Sequence, residues 1–199
     1  MKLFLGGTFN PIHLGHLWIA NQVSNLLNQQ PVCFIPTGQP CHKTHVLDAK
    51  HRFNMLKLAL HQTKHSISTV EMDRFGPSYT YETILTLKKM FADEVIVWLM
   101  GSDSWSSFNE WDHANIIRDN CHLLVVNRHP IKDQDYSHAE IKPCIEGTVQ
   151  HLNIPHHPAN STQIRNQHEL ALDWLTPEVQ QYIDQHQLYR YNQNRSESA

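Results

Sequence analysis

The sequence predicts an α/β protein with a doubly wound, mainly parallel sheet, helices on both faces and further helices toward the C-terminus. Three observations carry this. Strand-like apolar runs alternate with helix-spaced segments along the chain. Runs such as "VIVWLM" and "CHLLVV" are apolar throughout or nearly so, as strands buried on both faces are. The first run ends on Gly6-Gly7, where a strand must turn sharply into a helix. Crossovers in such a sheet are right-handed. Its ligands bind past the carboxyl ends of the strands.

Each element has its own reason. Leu3–Leu5 opens the first strand, which ends at Gly6-Gly7. Between Leu14 and Leu27, apolar residues at Ala20, Val23 and Leu27, with Ile19 and Leu26 beside them, keep helical spacing. "PVCFIPTG" reads as a second strand, stopped by Pro36 and Gly38. "LDAKHRFNMLKLAL" is a helix with Asp48 near its start. "SISTVEM" is β-branched and alternating, a third strand. "YTYETILTLKKMF" is a helix and "EVIVWLMG" a buried strand. Trp105 to Arg118 reads as mostly helical. "CHLLVVNR" and "GTVQHLNI" are the last strands. "STQIRNQ" and "TPEVQQYIDQHQL" are closing helices, the second with Pro177 at its first turn.

Bulk properties narrow the function classes. With 199 residues the chain suits a single domain over 1–190, with "YNQNRSESA" (191–199) as a flexible tail. A net charge of -3 gives no general basic field for a nucleic-acid backbone. The apolar runs are too short to span a bilayer, and no signal peptide is visible. Cys33, Cys41, Cys121 and Cys144 are far apart with no C-x-x-C pair, so they read as reduced thiols in a cytoplasmic protein. The sixteen histidines are scattered, and most read as solvated or capping residues.

Four stretches carry chemistry. In "GGTFNPIHLGH", His13 and His16 lie at i and i+3 around a helix start, so both imidazoles can share one face. Helical side chains lean toward the N-terminus, where unpaired N–H groups and partial positive charge also collect. The result is a cradle suited to phosphate. A plain βα turn explains the glycines alone equally well. In "HHPANSTQIRNQ", Asn160 is a good N-cap, and Ser161, Thr162 and Arg165 can converge on one spot. An arginine fork matches phosphate oxygens. A capped surface helix is the plain alternative. In "WLMGSDSW", Gly101 ends a strand and Asp103 follows, able to hold a sugar hydroxyl or simply to cap a helix. In "GPSYTYET", Ser78 or Thr80 can cap the next helix with Glu82 in a capping box, or the N–H groups there can receive a second anion. Trp111 can be core or a stacking plate for an aromatic ring.

Taken together these motifs resemble one family. G-G-T-F-x-P-x-H-x-G-H is similar to the signature of the H-x-G-H nucleotidyltransferases. "PCHK", "GPSYTYETI", "GSDS" followed by a tryptophan, "VVNR", "STQIR" and "VQQYIDQHQLYR" then resemble bacterial nicotinate-nucleotide adenylyltransferases, in the same order over nearly the whole chain. The resemblance implies a Rossmann-like fold. It implies adenylyl transfer from ATP to nicotinate mononucleotide, giving deamido-NAD and pyrophosphate in NAD biosynthesis. Mg²⁺ would accompany ATP, held mainly by phosphates and water, with no dedicated protein metal site.

By the same resemblance His16 and His13 are the catalytic residues. Gly6, Gly7, Thr8, Phe9, His13, His16, Gly101, Asp103, Ser161, Thr162 and Arg165 bind ATP. Lys43, Thr80, Trp111 and Asp112 bind nicotinate mononucleotide. The chain departs from the family at Asn10, where aspartate is frequent. It also departs at Cys41, where the motif is P-P-H-K, and at Asn160, where a serine is usual. The partners implied are the two nucleotides, without nucleic acid or membrane, and a homo-oligomer is left open. Two other readings remain: a nucleotidyltransferase for another phosphorylated substrate, including nicotinamide mononucleotide, and a nucleotide-binding sensor without catalysis. A class I tRNA synthetase shares H-x-G-H, but the chain is too short and has no K-M-S-K-S stretch.

Overall fold

A computed structural model describes residues 1–41, 45–129, 140–166 and 172–189. The chain runs β1 (Lys2–Gly7), α1 (Leu14–Leu26), β2 (Val32–Pro36), β3 (Gln39–Pro40), α2 (Ala49–Leu60), β4 (Ser66–Ile67), β5 (Pro77–Ser78) and α3 (Thr80–Met90). It continues through β6 (Ile96–Gly101), α4 (Ser102–Ser106), α5 (Ala114–Asn120), β7 (His122–His129), β8 (Val149–Pro155), α6 (Ser161–Asn166) and α7 (Pro177–Gln185). Six strands form one sheet in the order β4-β2-β1-β6-β7-β8. Every pair in it is parallel. The chain winds outward from β1 to one edge, then returns beside β1 as β6 and winds to the other. The order therefore reverses between β1 and β6, where doubly wound sheets open a crevice for ligands.

Alternation along the strands feeds two cores. Leu3, Leu5, Phe34, Val97, Leu99, Leu124 and Val126 pack on one face with Ile19 and Val23 of α1, Met55 and Leu56 of α2, and Val179 and Ile183 of α7. Phe4, Ile35, Ile96, Trp98, Met100, Leu123 and Val125 pack on the other with Ile84 and Leu87 of α3 and Ile117 of α5. Each fully buried aliphatic side chain contributes roughly 1.5–3 kcal/mol, so both faces of the sheet are held firmly. Among the described residues no helix is long and apolar enough to cross a membrane.

Helix ends follow local chemistry. The Asp48 carboxylate caps α2 by accepting from Lys50 N at 2.7 Å. Thr176 caps α7, with Pro177 in its first turn. Asn160 Oδ1 accepts from Thr162 N and Gln163 N at 2.8 and 3.2 Å, which makes it the cap of α6.

Two expectations need correction, and a third gains detail. "SISTVEM" pairs as a strand only over Ser66–Ile67. Beyond it, Asp73 N donates to Thr69 O and closes a turn, and Glu71 buries its carboxylate instead of alternating outward. Trp105–Arg118 is mostly helical, as expected, but in pieces. A 3₁₀ turn at Phe108–Glu110 and a left-handed His113 (φ 51°) separate α4 from α5. Neither Ser78 nor Thr80 caps α3, whose N-cap is Tyr79 with no side-chain bond. Ser78 Oγ accepts from Gly38 N instead, across the small β3–β5 pair, which has only two residues per strand and no sequence signal. Glu82 joins no capping box. It pairs with Arg74, Oε2 to Nε at 3.2 Å.

Candidate active site

The crevice edge of β1 is built from one continuous segment. Phe9 turns the chain with a positive φ of 48°, an uncommon conformation for an aromatic residue. Its ring sits edge-on to His16 at 5.1 Å and against Phe34 at 5.6 Å. His13 then caps α1, and His13 N donates to His16 Nδ1 at 3.3 Å. The two imidazoles stack at 3.7 Å with a 31° tilt. His13 is 4% exposed and His16 is half-buried, so one ring backs the other. The expected shared face is realised.

Gly6 has a different role from the one its place in the motif suggests. A Cβ there would lie 2.3 Å from Trp98 Cζ2. The space beside Gly6 is thus filled by a neighbouring strand's indole.

The C-terminal segment closes on this loop. Ser161 Oγ donates to Pro11 O at 3.0 Å. Arg165 Nη1 donates to Asn10 O at 2.7 Å, and Nη2 to Thr162 Oγ1 at 3.2 Å. Tyr189 Oη donates to Asn10 Oδ1 at 2.8 Å. Burial pushes the Tyr189 phenol well above its ordinary value, which keeps it a proton donor. A side chain at Gly15 would stand 3.2 Å from Ala159 O, so α1 needs a glycine to let this segment approach. The structure therefore brings Thr8, Phe9, His13, His16, Ser161, Thr162 and Arg165 together. Gly7 adds a link to the next strand, its carbonyl accepting from Thr37 N at 3.0 Å.

Gly101 ends β6, the strand beside β1, and Asp103 follows it. Leu5 faces Leu99, so the register brings Gly101 level with Gly7 at the same edge. Gly101 is the N-cap of α4, and Asp103 lies in its exposed first turn. Asp103 is thus not the cap.

A second group forms around the start of α3. Thr80 is its first residue. Tyr81 meets the His113 ring at 4.5 Å and Tyr79 at 5.9 Å. Trp111 is half-buried and leans on Phe108 at 5.6 Å, with Asp112 exposed beside it. The Trp111-Asp112 step therefore adjoins the α3 start through His113 and Tyr81. Cys41 reaches the same place, its thiol donating to Ser78 O at 3.3 Å. Burial raises the pKa of Cys41, which keeps the thiol protonated and able to donate. Lys43 lies outside the described residues, as does the tail 191–199.

Sequence reasoning passed over two buried residues, Glu71 and Arg52, and the half-buried Tyr189, which hold these groups. Glu71 is buried and accepts from Thr83 Oγ1 at 2.8 Å, anchoring the first turn of α3. Burial raises its carboxyl pKa, and the bond from Thr83 pulls the other way. Arg52 and Tyr189 are the other two. A signal for Arg52 was present: it stands three and four residues before Met55 and Leu56, on the apolar stripe of α2, where a charge needs a reason.

Comparison with known proteins places the chain in a family. Residues 4–167 match the cytidylyltransferase-like family. A protein of Clavibacter michiganensis named probable nicotinate-nucleotide adenylyltransferase is 32% identical over 192 residues, covering 94% of this chain and 92% of that one. A protein of Borrelia hermsii with the same name is 33% identical over 192 residues, covering 93% and 95%. The Plasmodium falciparum nicotinic acid mononucleotide adenylyltransferase complexed with NaAD superposes with a TM-score of 0.75 over 96% of this chain and 99% of that one. At 19% identity, that likeness speaks to the fold alone. The chain belongs to the cytidylyltransferase-like family and, within it, to the nicotinate-nucleotide adenylyltransferases.

Proposed function

We propose that the site joins the AMP moiety of ATP to nicotinate mononucleotide, releasing pyrophosphate and giving nicotinate adenine dinucleotide for NAD biosynthesis. The observation that carries this reading is the stacked His13–His16 pair at the N-terminus of α1, beside the exit of β1. An oxygen of the mononucleotide's phosphate forms a bond to the α-phosphorus of ATP. The bond from that phosphorus to the bridging oxygen breaks, and its electron pair leaves with pyrophosphate. The attacking phosphate is already anionic near neutral pH, so no general base is needed. Catalysis then rests on alignment and charge stabilisation, and alignment of two bound reactants supplies up to ~7–11 kcal/mol.

In this reading His16 stabilises charge at the α-phosphate and His13 supports it from behind. Gly7, Thr8 and Phe9 line the phosphate path, and Gly6 keeps the first strand close to Trp98. Thr162 and Arg165 face the triphosphate, with Ser161 fixing the loop. Gly101 and Asp103 hold the adenosine side. Thr80 and the Trp111-Asp112 step take the pyridine ring and its carboxylate, with Lys43 assigned to the same substrate.

Mg²⁺ enters with the nucleotide. The described side chains include no group of three or more His, Cys, Asp or Glu able to hold an ion. Phosphate oxygens and water would therefore fill its coordination sphere. There it would offset charge on the leaving pyrophosphate.

The test is pyrophosphate release from ATP, Mg²⁺ and nicotinate mononucleotide. Stoichiometric pyrophosphate and dinucleotide are expected. Binding of both nucleotides with no pyrophosphate would make the protein a sensor instead.

A further inference from the structure

Arg52 stands in the first turn of α2 and is 1% exposed. Its guanidinium reaches three main-chain carbonyls on three separate segments. Nη1 donates to Thr8 O at 2.9 Å, in the β1–α1 loop that leads to the histidine pair. Nη2 donates to Gly38 O at 2.8 Å, between β2 and β3. Nε donates to Leu47 O at 2.9 Å, just before α2. Gly38 in turn donates from its N to Ser78 Oγ, one residue before the N-cap of α3. One planar group thus spans the loop assigned to ATP and the loop that leads to the mononucleotide pocket. Among the described residues no carboxylate forms an ion pair with Arg52. Asp48 and Glu71 act on it through their charge, but its direct acceptors are neutral carbonyls, and a cation buried on such acceptors is costly to hold. A residue needed only for packing would be served better by an apolar side chain.

We propose that Arg52 is a positioning residue for the transfer reaction: its guanidinium sets the spacing of the Thr8 and Gly38 carbonyls, and so the alignment of the two substrates across the crevice. The inference rests on the function proposed above. Arginine suits the task because its donors are fixed in one plane. Lysine keeps the charge but concentrates it on one flexible ammonium.

The test compares Arg52→Lys and Arg52→Gln with the unaltered protein. It measures kcat, both KM values and the melting temperature, with rates taken per folded molecule counted by ATP-binding stoichiometry. Misplacement of reactants by about 1 Å costs on the order of 100-fold. We expect kcat in Arg52→Lys to fall about 10- to 100-fold, with the KM values for ATP and for the mononucleotide both raised. Unchanged kcat and KM per folded molecule, whatever the melting temperature does, would overturn the proposal. So would full rescue by lysine, a change in one KM alone, or a variant that fails to fold even with saturating ATP and mononucleotide. If the unaltered protein releases no pyrophosphate, the functional reading fails. If it turns over normally and the variants do too, only the role of Arg52 fails.

Discussion

The two sides of the crevice are made differently. The side proposed for the phosphates is nearly contiguous. Gly6 to His16 supply its loop and both imidazoles, and the tethers from Ser161, Arg165 and Arg52 end on main-chain carbonyls of residues 8–11. The side proposed for the pyridine is assembled from three distant segments: Gly38–Cys41, Glu71–Thr83 and Trp111–His113. Buried polar bonds and ring contacts hold them. A side built on main-chain acceptors depends on few side-chain identities beyond its tethers. A side built on side-chain contacts depends on several at once. Substitutions on the first should therefore act on turnover, and substitutions on the second on recognition of the mononucleotide.

The largest expected effect breaks the comparison most cleanly. His16→Ala should lower kcat by about 100- to 1,000-fold, as loss of one charge-stabilising donor does elsewhere, while the KM for ATP moves only a few-fold. Steady-state kinetics over both substrates checks this, and near-normal turnover would remove His16 from the mechanism. Trp111→Ala should act on the other side. Loss of an aromatic plate worth ~0.5–1.5 kcal/mol should raise the KM for the mononucleotide by up to about 10-fold, leaving that for ATP unchanged. Equal changes in both would mean that Trp111 serves the core, through its contact with Phe108.

A smaller effect separates tether from ligand. Tyr189→Phe removes the bond to Asn10 Oδ1 and should lower unfolding free energy by ~1 kcal/mol in urea. Its effect on the mononucleotide KM should be nil. The smallest effect is a pH dependence. Burial holds Glu71 above its ordinary carboxylate value in the folded state. As pH rises past that ordinary value, the unfolded chain loses the proton first, so stability falls until the folded carboxyl also ionises. Stability–pH curves for Glu71→Gln should lose that decline, and a curve parallel to that of the unaltered protein would show that Glu71 is not its source.

The same contrast explains what could be read in advance. The parallel sheet was legible because Ile96–Met100 and its neighbours are apolar over a strand's length. The meeting of the two imidazoles was legible because His13, Gly15 and His16 sit within four residues, where helical spacing alone decides which rings can meet. Asn160 was legible as a cap for the same reason. Residues 66–72 misled, because β-branched alternation is a local preference and the burial of Glu71 overrode it. The left-handed turn at His113 was hidden because nothing in the residues before it signals a positive φ. Thr80, Trp111 and Asp112 were assigned from family resemblance alone, since nothing in their spacing says that α3 and the 111–113 step adjoin. Tyr189 went unread because its partner lies 179 residues away in sequence, and Arg52 because its place on the apolar stripe of α2 was not weighed.

The most direct test of a two-sided site sets nicotinate mononucleotide against nicotinamide mononucleotide, each with ATP and Mg²⁺, and measures kcat/KM from pyrophosphate release. The two differ only in whether the pyridine carries a carboxylate or an amide. A site whose α3 start and Trp111 step receive that carboxylate should favour the nicotinate form by at least 10-fold. Equal rates with both, or preference for the amide, would contradict the assignment of the pyridine side.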